Sequence, residues 1–385
     1  MLDAIFKINK KINVNGINLL EKLNKEDQRN FIDKLYKENM TEIERSFNQY
    51  KCQIKGEDIF KRLFNNIIGF MGIIPFIFYC VLMNGRKGQI SNNSKDKTAV
   101  FWGTDLLVVP ETLNKEYVIK MSKVNYRLNY KDIKFLFSEL FLKHPFSFYF
   151  NMKIIFKIAL YRENMDVFKP ICFIVNSEYS FTSSILTKYC NNNGIMHINV
   201  MHGDKFYYIR DSFFKFNKCY IWDEHYKKLF INLKAEPNQF EIEIPKNFII
   251  PSEVINKRKK IYNLTYYLQD DEENNLKLIR ENLRKIKTKF NITVRPHPRY
   301  CDEKKIIKYF NEFQIENSSK VNINESIANT DYAVSLYSTV LFQAYYNNKK
   351  IIIDDLIDFR FYKKLNELDY IIINKEHKKL SELVI

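Results

Sequence analysis

The stretch Asp331–Asp355, "DYAVSLYSTVLFQAYYNNKKIIIDD", contains the clearest structural pattern of the chain. A short β-type run, "YAV", passes through hydroxyl residues into an apolar helix-like segment, "TVLFQAYY", and a second β-type run, "KKIII", follows directly. A strand, a helix and another strand in close succession form the unit in which the two strands lie parallel. The stretch therefore predicts a parallel sheet with helices on its faces.

The same alternation extends upstream. Between residues 261 and 294, the β-type runs "IYNLTYYLQ" and "NITV" flank a helix-like segment, and an earlier series holds "TAVFWG", "DLLVVP", "ICFIVN", "HINV" and "CYIWD". Before residue 90 apolar residues recur at helical spacing, and a polar linker follows at 84–97. We therefore predict an α/β protein with a helical region at 1–90 and Rossmann-like domains at 91–254 and 255–385, the two domains facing a cleft.

The composition favours a folded protein with a phosphate-bearing partner. Hydrophobic residues make up 46% of the chain and aromatic residues 15%, which argues against disorder. The net charge of +16 suits a nucleotide, an anionic membrane or a nucleic acid, although scattered lysines also fit a solvated surface. Six dispersed cysteines without a CxxC pair, and a start without an apolar leader, predict a reduced, cytoplasmic protein.

An uncharged segment, Ile67–Met83, qualifies that location. Its sequence "IIGFMGIIPFIFYCVLM" is at the short end of a membrane-spanning length, and Gly69, Gly72 and Pro75 weaken it as a span. A buried helix, an insertion at the membrane interface and a true span all remain open. We expect a peripheral protein on the inner face of the plasma membrane, held partly by positive charge.

The glycines exclude some nucleotide sites. No glycine follows Gly203, so the last domain has neither a P-loop nor a GxGxxG turn. An anion bound there must rest on side chains and helix amides.

Two stretches offer such groups. In "VRPHPRY" the candidates Arg295, His297, Pro298 and Arg299 follow a strand, and the prolines stiffen a cationic loop suited to phosphate. A cationic cap over a helix end or a carboxylate pair is the structural alternative. In "SLYST" the candidates are Ser335, Ser338 and Thr339, at the start of a helix. Plain helix capping is the alternative there.

A third stretch, "NVMHGDKFYYIRD", ends a strand at His202 and Gly203. His202, Asp204 or Glu178, the last following the preceding strand, could take a proton from an acceptor hydroxyl. A buried His202 bonded to a backbone carbonyl is the alternative. The acidic pair Asp270–Asp271 more simply caps the following helix.

The order of His-Gly loop, "RPHPR" and "SLYST" resembles bacterial GT-B glycosyltransferases of surface-glycan synthesis. The likeness is greatest to the sialyltransferases that use CMP-sialic acid, namely the lipooligosaccharide sialyltransferases and the capsule polysialyltransferases. These families carry an HP motif, matched by His297-Pro298, and a Ser/Thr motif, matched by Ser335, Ser338 and Thr339. Their acidic-acidic-Gly motif, which supplies the base, has no counterpart here. A His-Gly loop also occurs in teichoic-acid polymerases and in capsule transferases that use CMP-Kdo.

The resemblance implies an inverting glycosyltransferase that needs no cofactor. The sequence has no DxD tripeptide to hold a divalent ion, which predicts a metal-independent reaction. Its donor would be a CMP-sugar, and its acceptor a glycan or lipid-linked glycan of capsule, lipooligosaccharide or O-antigen. Transfer from CMP-Kdo or a CDP-linked polyol phosphate is an alternative within enzymes. No nucleic-acid partner is expected, but a basic nucleic-acid-binding protein and an inactive scaffold are alternatives of another class.

Overall fold

The computed structural model describes residues 24–83, 97–103, 106–251, 261–270 and 272–384. The chain divides into two compact units. The first contains the residues up to His202 together with Tyr207–Glu243. The second contains Gly203–Phe206 and everything from Ile244 onward. The predicted linker at 84–97 lies outside the described residues, except for Lys97.

The first unit is built on a six-stranded parallel sheet with strand order β2-β1-β3-β4-β5-β6. Its strands are β1 Thr98–Trp102, β2 Val118–Met121, β3 Cys172–Val175, β4 Met196–Val200, β5 Lys218–Ile221 and β6 Phe240–Ile242. Its helices are α1 Lys25–Leu35, α2 Glu42–Ile54, α3 Ile59–Met83, α4 Glu111–Glu116, α5 Tyr130–Leu136, α6 Phe148–Phe168, α7 Ser183–Asn192 and α8 Glu224–Asn232. Every residue of β3 is buried, as expected for a central parallel strand covered on both faces.

One predicted strand is wrong. The described part of "DLLVVP" contains a 3₁₀ turn at Leu106–Val108 instead, and α4 begins directly after Pro110. The edge strand that pairs with β1, on the side away from β3, is β2, and the two strands are parallel. A parallel pair needs a crossover of about a dozen residues, and "DLLVVP" lies within that crossover.

The helix α3 runs unbroken through Pro75 and packs against α6. Gly69 permits the close approach, because a Cβ there would lie 2.6 Å from the backbone carbon of Phe148. In the described part of the chain, α3 is the one helix long and apolar enough to cross a membrane, and only 22% of its most apolar window is buried. The buried-helix interpretation of this segment is therefore wrong.

The second unit holds another six-stranded parallel sheet, with order β12-β11-β10-β7-β8-β9. Its strands are β7 Tyr262–Tyr267, β8 Phe290–Arg295, β9 Gln314–Ile315, β10 Tyr332–Ser335, β11 Lys350–Ile353 and β12 Lys378–Lys379. Its helices are α9 Glu273–Ile286, α10 Glu303–Tyr309, α11 Ile323–Asn329, α12 Thr339–Tyr346, α13 Phe359–Glu367 and α14 Ser381–Val384. Leu264, Val294, Val334 and Ile352, one from each central strand, belong to one buried cluster.

These two parallel sheets, each with its helices, confirm the predicted fold class of two Rossmann-like α/β units with an N-terminal helical region. The stretch at 331–355 forms β10, α12 and β11, and the two strands pair in parallel. The helical region is part of the first unit, where the Ser46 hydroxyl of α2 accepts a hydrogen bond from the Ile185 amide of α7.

Candidate active site

A histidine and a carboxylate meet at the carboxyl edge of the first sheet. The loops after β3 and β4 place His202 Nδ1 3.4 Å from Glu178 Oε1. The Glu178 side chain is fully buried, while that of His202 is 39% exposed. The carboxylate lies beside Nδ1, which leaves Nε2 as the nitrogen that can accept a proton.

Two buried amides, which the sequence patterns did not single out, hold this pair in place. Asn199 of β4 donates to Glu178 Oε2 at 3.0 Å and accepts from the Ser177 amide at 2.7 Å. Gln49 of α2 donates from Nε2 to the carbonyls of Glu178 and Arg210, each at 2.9 Å. Gln49 lies 129 positions before Glu178, so no local pattern could have found it.

His202 borders a cavity of about 1010 Å³ within the first unit. Its wall combines seven aromatic side chains with the hydroxyls of Ser177 and Ser180 near the end of β3 and the lysines Lys153 and Lys157 from α6. The aromatic lining residues are Tyr50, Trp102, Tyr126, Tyr149, Phe156, Tyr179 and Phe181. A chamber of this size and mixed lining suits a small organic substrate or the end of a larger one.

In the second unit, the loop after β8 fixes one tautomer of His297. The Arg299 amide donates to His297 Nδ1 at 3.1 Å, so the neutral ring carries its proton on Nε2. The ring stacks on Tyr300 with centroids 4.5 Å apart. Burial, and then the positive charge of Arg299, lower the pKa of His297 below its usual value of 6.5. His297 is thus a neutral Nε2–H donor near neutral pH.

The other basic residues of this loop differ in their surroundings. Arg295 is buried, forms an ion pair with Glu316 and donates to the Val321 carbonyl at 2.9 Å. Its guanidinium therefore braces the loop at 316–321. Pro298 and Arg299 are exposed.

The predicted hydroxyl residues lie around the start of α12, where Ser338 is the N-cap. Ser335 is fully buried, and its hydroxyl donates to the Tyr267 carbonyl at 2.8 Å. The Thr339 hydroxyl accepts from the Asp204 amide at 3.2 Å, next to Gly203, whose φ is +74°. The structure thus brings Asp204 and Thr339 together within the second unit.

The buried Tyr370, absent from the sequence patterns, completes this cluster. Its hydroxyl accepts from the Ser338 amide at 3.2 Å and can donate to Asp204 Oδ2 at 3.4 Å. Burial, and then the Asp204 charge, raise the pKa of Tyr370 well above its usual range. The N-terminus of α12 carries a partial positive charge, and Asp204 places a carboxylate beside it. A phosphate bound there would have to share this helix end with the Asp204 carboxylate. The phosphate roles of Ser338 and Thr339 stay predictions.

Loops after three neighbouring strands of the second sheet converge. Burial, followed by the negative charge of Asp270 and by the Tyr300 phenol once it ionises, raises the pKa of Tyr337. These residues follow β7, β8 and β10 respectively. Asp270 also accepts from the Glu272 amide at 3.0 Å before α9, while Asp271 lies outside the described residues.

Among the described residues no group of three or more His, Cys, Asp or Glu side chains is placed to hold a metal ion. The predicted independence from metal and cofactor stays a prediction.

No protein-family model and no curated protein matches the chain. Among solved structures, the wall teichoic acid polymerase TagF is similar over 85% of this chain and 88% of its own, with 11% identity and a TM-score of 0.46. A UDP-GlcNAc 2-epimerase from Neisseria meningitidis, bound to UDP-GlcNAc, matches 74% of this chain and 88% of its own, with 10% identity and a TM-score of 0.42. The MnaA–UDP complex of S. aureus matches 67% and 78%, with 11% identity and a TM-score of 0.40.

Proposed function

We propose that this chain is a transferase of bacterial surface-glycan synthesis that moves a group from a cytidine nucleotide to an acceptor hydroxyl. The observation that carries the proposal is the His202–Glu178 pair beside the cavity of the first unit. A histidine backed by a buried carboxylate is suited to remove a proton from a hydroxyl. The proposed donor is CMP-sialic acid or a related nonulosonate.

In the proposed reaction, an acceptor hydroxyl in the cavity of the first unit gives its proton to His202 Nε2. The acceptor oxygen forms a bond to the anomeric carbon of the donor, and the bond from that carbon to the phosphate oxygen breaks. The configuration at the anomeric carbon inverts, and CMP leaves with the bonding electrons. Glu178 stabilises the imidazolium that forms.

The second unit would bind the leaving nucleotide. His297 donates from Nε2 to a phosphate oxygen, and this hydrogen bond strengthens as negative charge develops on the departing CMP. Arg299 adds a positive charge to the same loop, while Arg295 fixes the loop from behind through Glu316. The stiff Pro296–Pro298 backbone limits the entropy lost on binding.

A second candidate is transfer from a CDP-linked polyol phosphate or from CMP-Kdo. The observation that favours it is again His202, which follows a strand in a His-Gly loop and lies beside a carboxylate, as a general base would. The chain also lacks the acidic-acidic-Gly motif that supplies the base in the sialic-acid enzymes. With a CDP-linked donor the acceptor oxygen would attack the distal phosphorus, and CMP would again leave.

The proposed place of work is the surface of an anionic membrane. The most exposed apolar side chains of α3 include Phe60, Ile74 and Phe78, which are 78%, 74% and 65% exposed. At 100° per residue these three lie within 40° of one another around the helix, so they form one apolar face. The opposite side contains Gly69 and Cys80, where the helix packs on its own unit.

Calorimetric titration of CMP, CDP, UDP and GDP into wild type and His297→Ala tests the nucleotide site. We expect CMP or CDP to bind the wild type and to bind the variant much more weakly. Preference for UDP or GDP would reject the cytidine donor. Absence of nucleotide binding, together with DNA or RNA binding that falls steeply with salt, would replace the transferase by a nucleic-acid-binding protein.

A further inference from the structure

We propose that Lys153 and Lys157 form an anion subsite in the cavity of the first unit, which binds a phosphate or carboxylate group of the acceptor. The inference deepens the proposed function by giving the acceptor a negative charge close to the hydroxyl that reacts. Only the identification of the bound anion as part of the acceptor rests on the proposed function, since anion binding is measurable without any transfer.

The two lysines stand out on their helix. Most of α6 is buried, including Ile154, Ile155 and Ile158, yet Lys153 and Lys157 are spaced four residues apart and both line the cavity. Side chains with this spacing lie on the same side of a helix. Two positive charges thus project into one chamber.

Neither lysine has a carboxylate partner among the described residues. Lys157 Nζ lies 4.4 Å from the centroid of the Trp102 ring, and Lys153 Nζ lies 5.3 Å from that of Tyr149. Aromatic faces stabilise an ammonium group only partly. Partial burial of an ammonium group without a counter-ion costs free energy. An anion that enters the cavity would therefore be stabilised by two ammonium groups that lack a counter-ion.

The other titratable groups of the cavity leave this charge uncompensated. Among the described lining residues, Glu57 is the one carboxylate, and it forms an ion pair with Lys61 at 3.1 Å. The remaining groups are His202 and four phenols, Tyr50, Tyr126, Tyr149 and Tyr179. Burial, and then the charge of Lys153, lower the pKa of Lys157 to about 8. The lysine is therefore mostly charged at pH 7, and the subsite should weaken as the pH rises through 8.

The wall beside the lysines indicates an anion joined to an apolar group. Phe156, between them on α6, packs on Phe76 of α3 with centroids 3.8 Å apart, and Tyr126 contacts both rings. Phe156 and Tyr126 also line the cavity. A lipid phosphate would place its charge at the lysines and its chain along this wall, whereas a glycan carboxylate would use the lysines alone.

Calorimetry on the full chain without nucleotide separates these sources. The probes are octyl phosphate for a lipid phosphate, the methyl glycoside of N-acetylneuraminic acid for a glycan carboxylate, and uncharged octyl glucoside as the control ligand. The variants are Lys153→Gln with Lys157→Gln, the same pair changed to Arg, and a matched loss of two exposed lysines, Lys131→Gln with Lys134→Gln. Circular dichroism melting checks that each variant folds.

We expect an anionic probe to bind the wild type, to bind the Gln pair at least tenfold more weakly, and to bind the Arg pair and the matched control within about threefold of wild type. Equal binding to wild type and the Gln pair, or equal binding of octyl glucoside and octyl phosphate, would overturn the subsite. Loss of CMP binding together with retained, lysine-dependent anion binding would reject the transferase and keep the subsite.

If the Gln pair does not fold, acetylation of the wild type followed by mass spectrometry decides. Bound octyl phosphate should slow acetylation of Lys153 and Lys157 severalfold and leave Lys131 and Lys134 unchanged. Equal rates with and without the probe at all four positions would overturn the proposal.

Discussion

Each of the two sheets has a candidate histidine at its carboxyl edge, His202 in the first and His297 in the second, and the surroundings of these two rings are opposite. His202 has a buried carboxylate beside Nδ1. His297 has a backbone amide donating to Nδ1 and a positive charge in Arg299, and its pKa is lowered. The first ring faces a negative charge, and the environment of the second favours a neutral ring that donates from Nε2.

The surroundings of a histidine ring, and not the ring alone, therefore define its chemical role. A carboxylate at Nδ1 stabilises an imidazolium, so the group can act as a base and hold the proton that it takes. A donated hydrogen bond at Nδ1 fixes the tautomer, so the group can point a donor at an anion. We therefore expect substitutions in the two units to affect different steps.

Replacing His202 with Ala should lower the rate of transfer by about 10²–10⁴-fold, the usual contribution of a general base. Affinity for CMP should stay within a factor of about two, because the nucleotide is assigned to the other unit. Product formation from labelled donor and calorimetry measure the two quantities. His225→Ala, a histidine of α8, is the control, and weakened CMP binding by His202→Ala would erase the contrast between the rings.

Replacing Glu178 with Gln should lower kcat by about 100-fold and leave the KM for the donor unchanged, since a neutral amide no longer stabilises the imidazolium. Steady-state kinetics with varied donor give the split. Glu57→Gln removes a carboxylate from the same cavity and should keep kcat within severalfold. A Glu178 variant with normal kcat would reduce the pair to a structural contact.

Replacing His297 with Ala should weaken CMP binding by about 10–100-fold, because a hydrogen bond to a charged group contributes roughly 1.5–3 kcal/mol. Calorimetry at pH 7 measures the loss. His377→Ala, whose ring contacts the Tyr362 hydroxyl in the same unit, is the matched control. Unchanged affinity would move the phosphate away from this loop.

Replacing Phe60, Ile74 and Phe78 together with Ser should weaken binding to vesicles of phosphatidylglycerol and phosphatidylcholine at least tenfold, since burying one such side chain contributes about 1.5–3 kcal/mol. Co-sedimentation measures binding. Phe146→Ser, which removes a ring that is 82% exposed outside α3, is the control. Equal loss in the control would mean that exposed rings in general, and not this face, drive binding.

Replacing Arg299 with Gln should raise the pKa of His297 toward 6.5, because one of the two causes of its depression is removed. Bound phosphate should raise the same pKa further, so CMP affinity should increase as the pH falls through the pKa of the complex. NMR titration of the His297 ring signals, with and without CMP, reports both changes. A downward shift in the variant would contradict the assigned cause.

The sequence predicted the regular part of the fold because strands and helices carry their own patterns. The run at 331–355 and the strand that ends at Arg295 lie where they were expected. Loops were harder, and "DLLVVP" shows why: an apolar run has strand composition whether it enters the sheet or crosses over it. Two-residue strands such as β9 are too short to carry a pattern at all.

In the candidate site, the sequence predicted only those residues that belong to a local motif. His202, Glu178 and His297 follow strands, and strand ends can be read locally. The partners of the site residues come from distant parts of the sequence. Gln49 of α2 donates to the Glu178 carbonyl, and Arg295 forms an ion pair with Glu316, 21 residues further along the chain. The pair Lys153 and Lys157 looked like any two lysines of a basic chain until their common cavity was visible.

The exposed face of α3 also governs how the purified chain behaves in a tube. In plain buffer an apolar face of this length has only water or another copy of itself to contact, and a continuous apolar patch favours self-association. Particle mass measured by light scattering should then depend on detergent, falling once micelles are present to cover the helix. A particle mass measured without detergent would therefore report self-association through the apolar face of α3 and not the biological assembly of the protein.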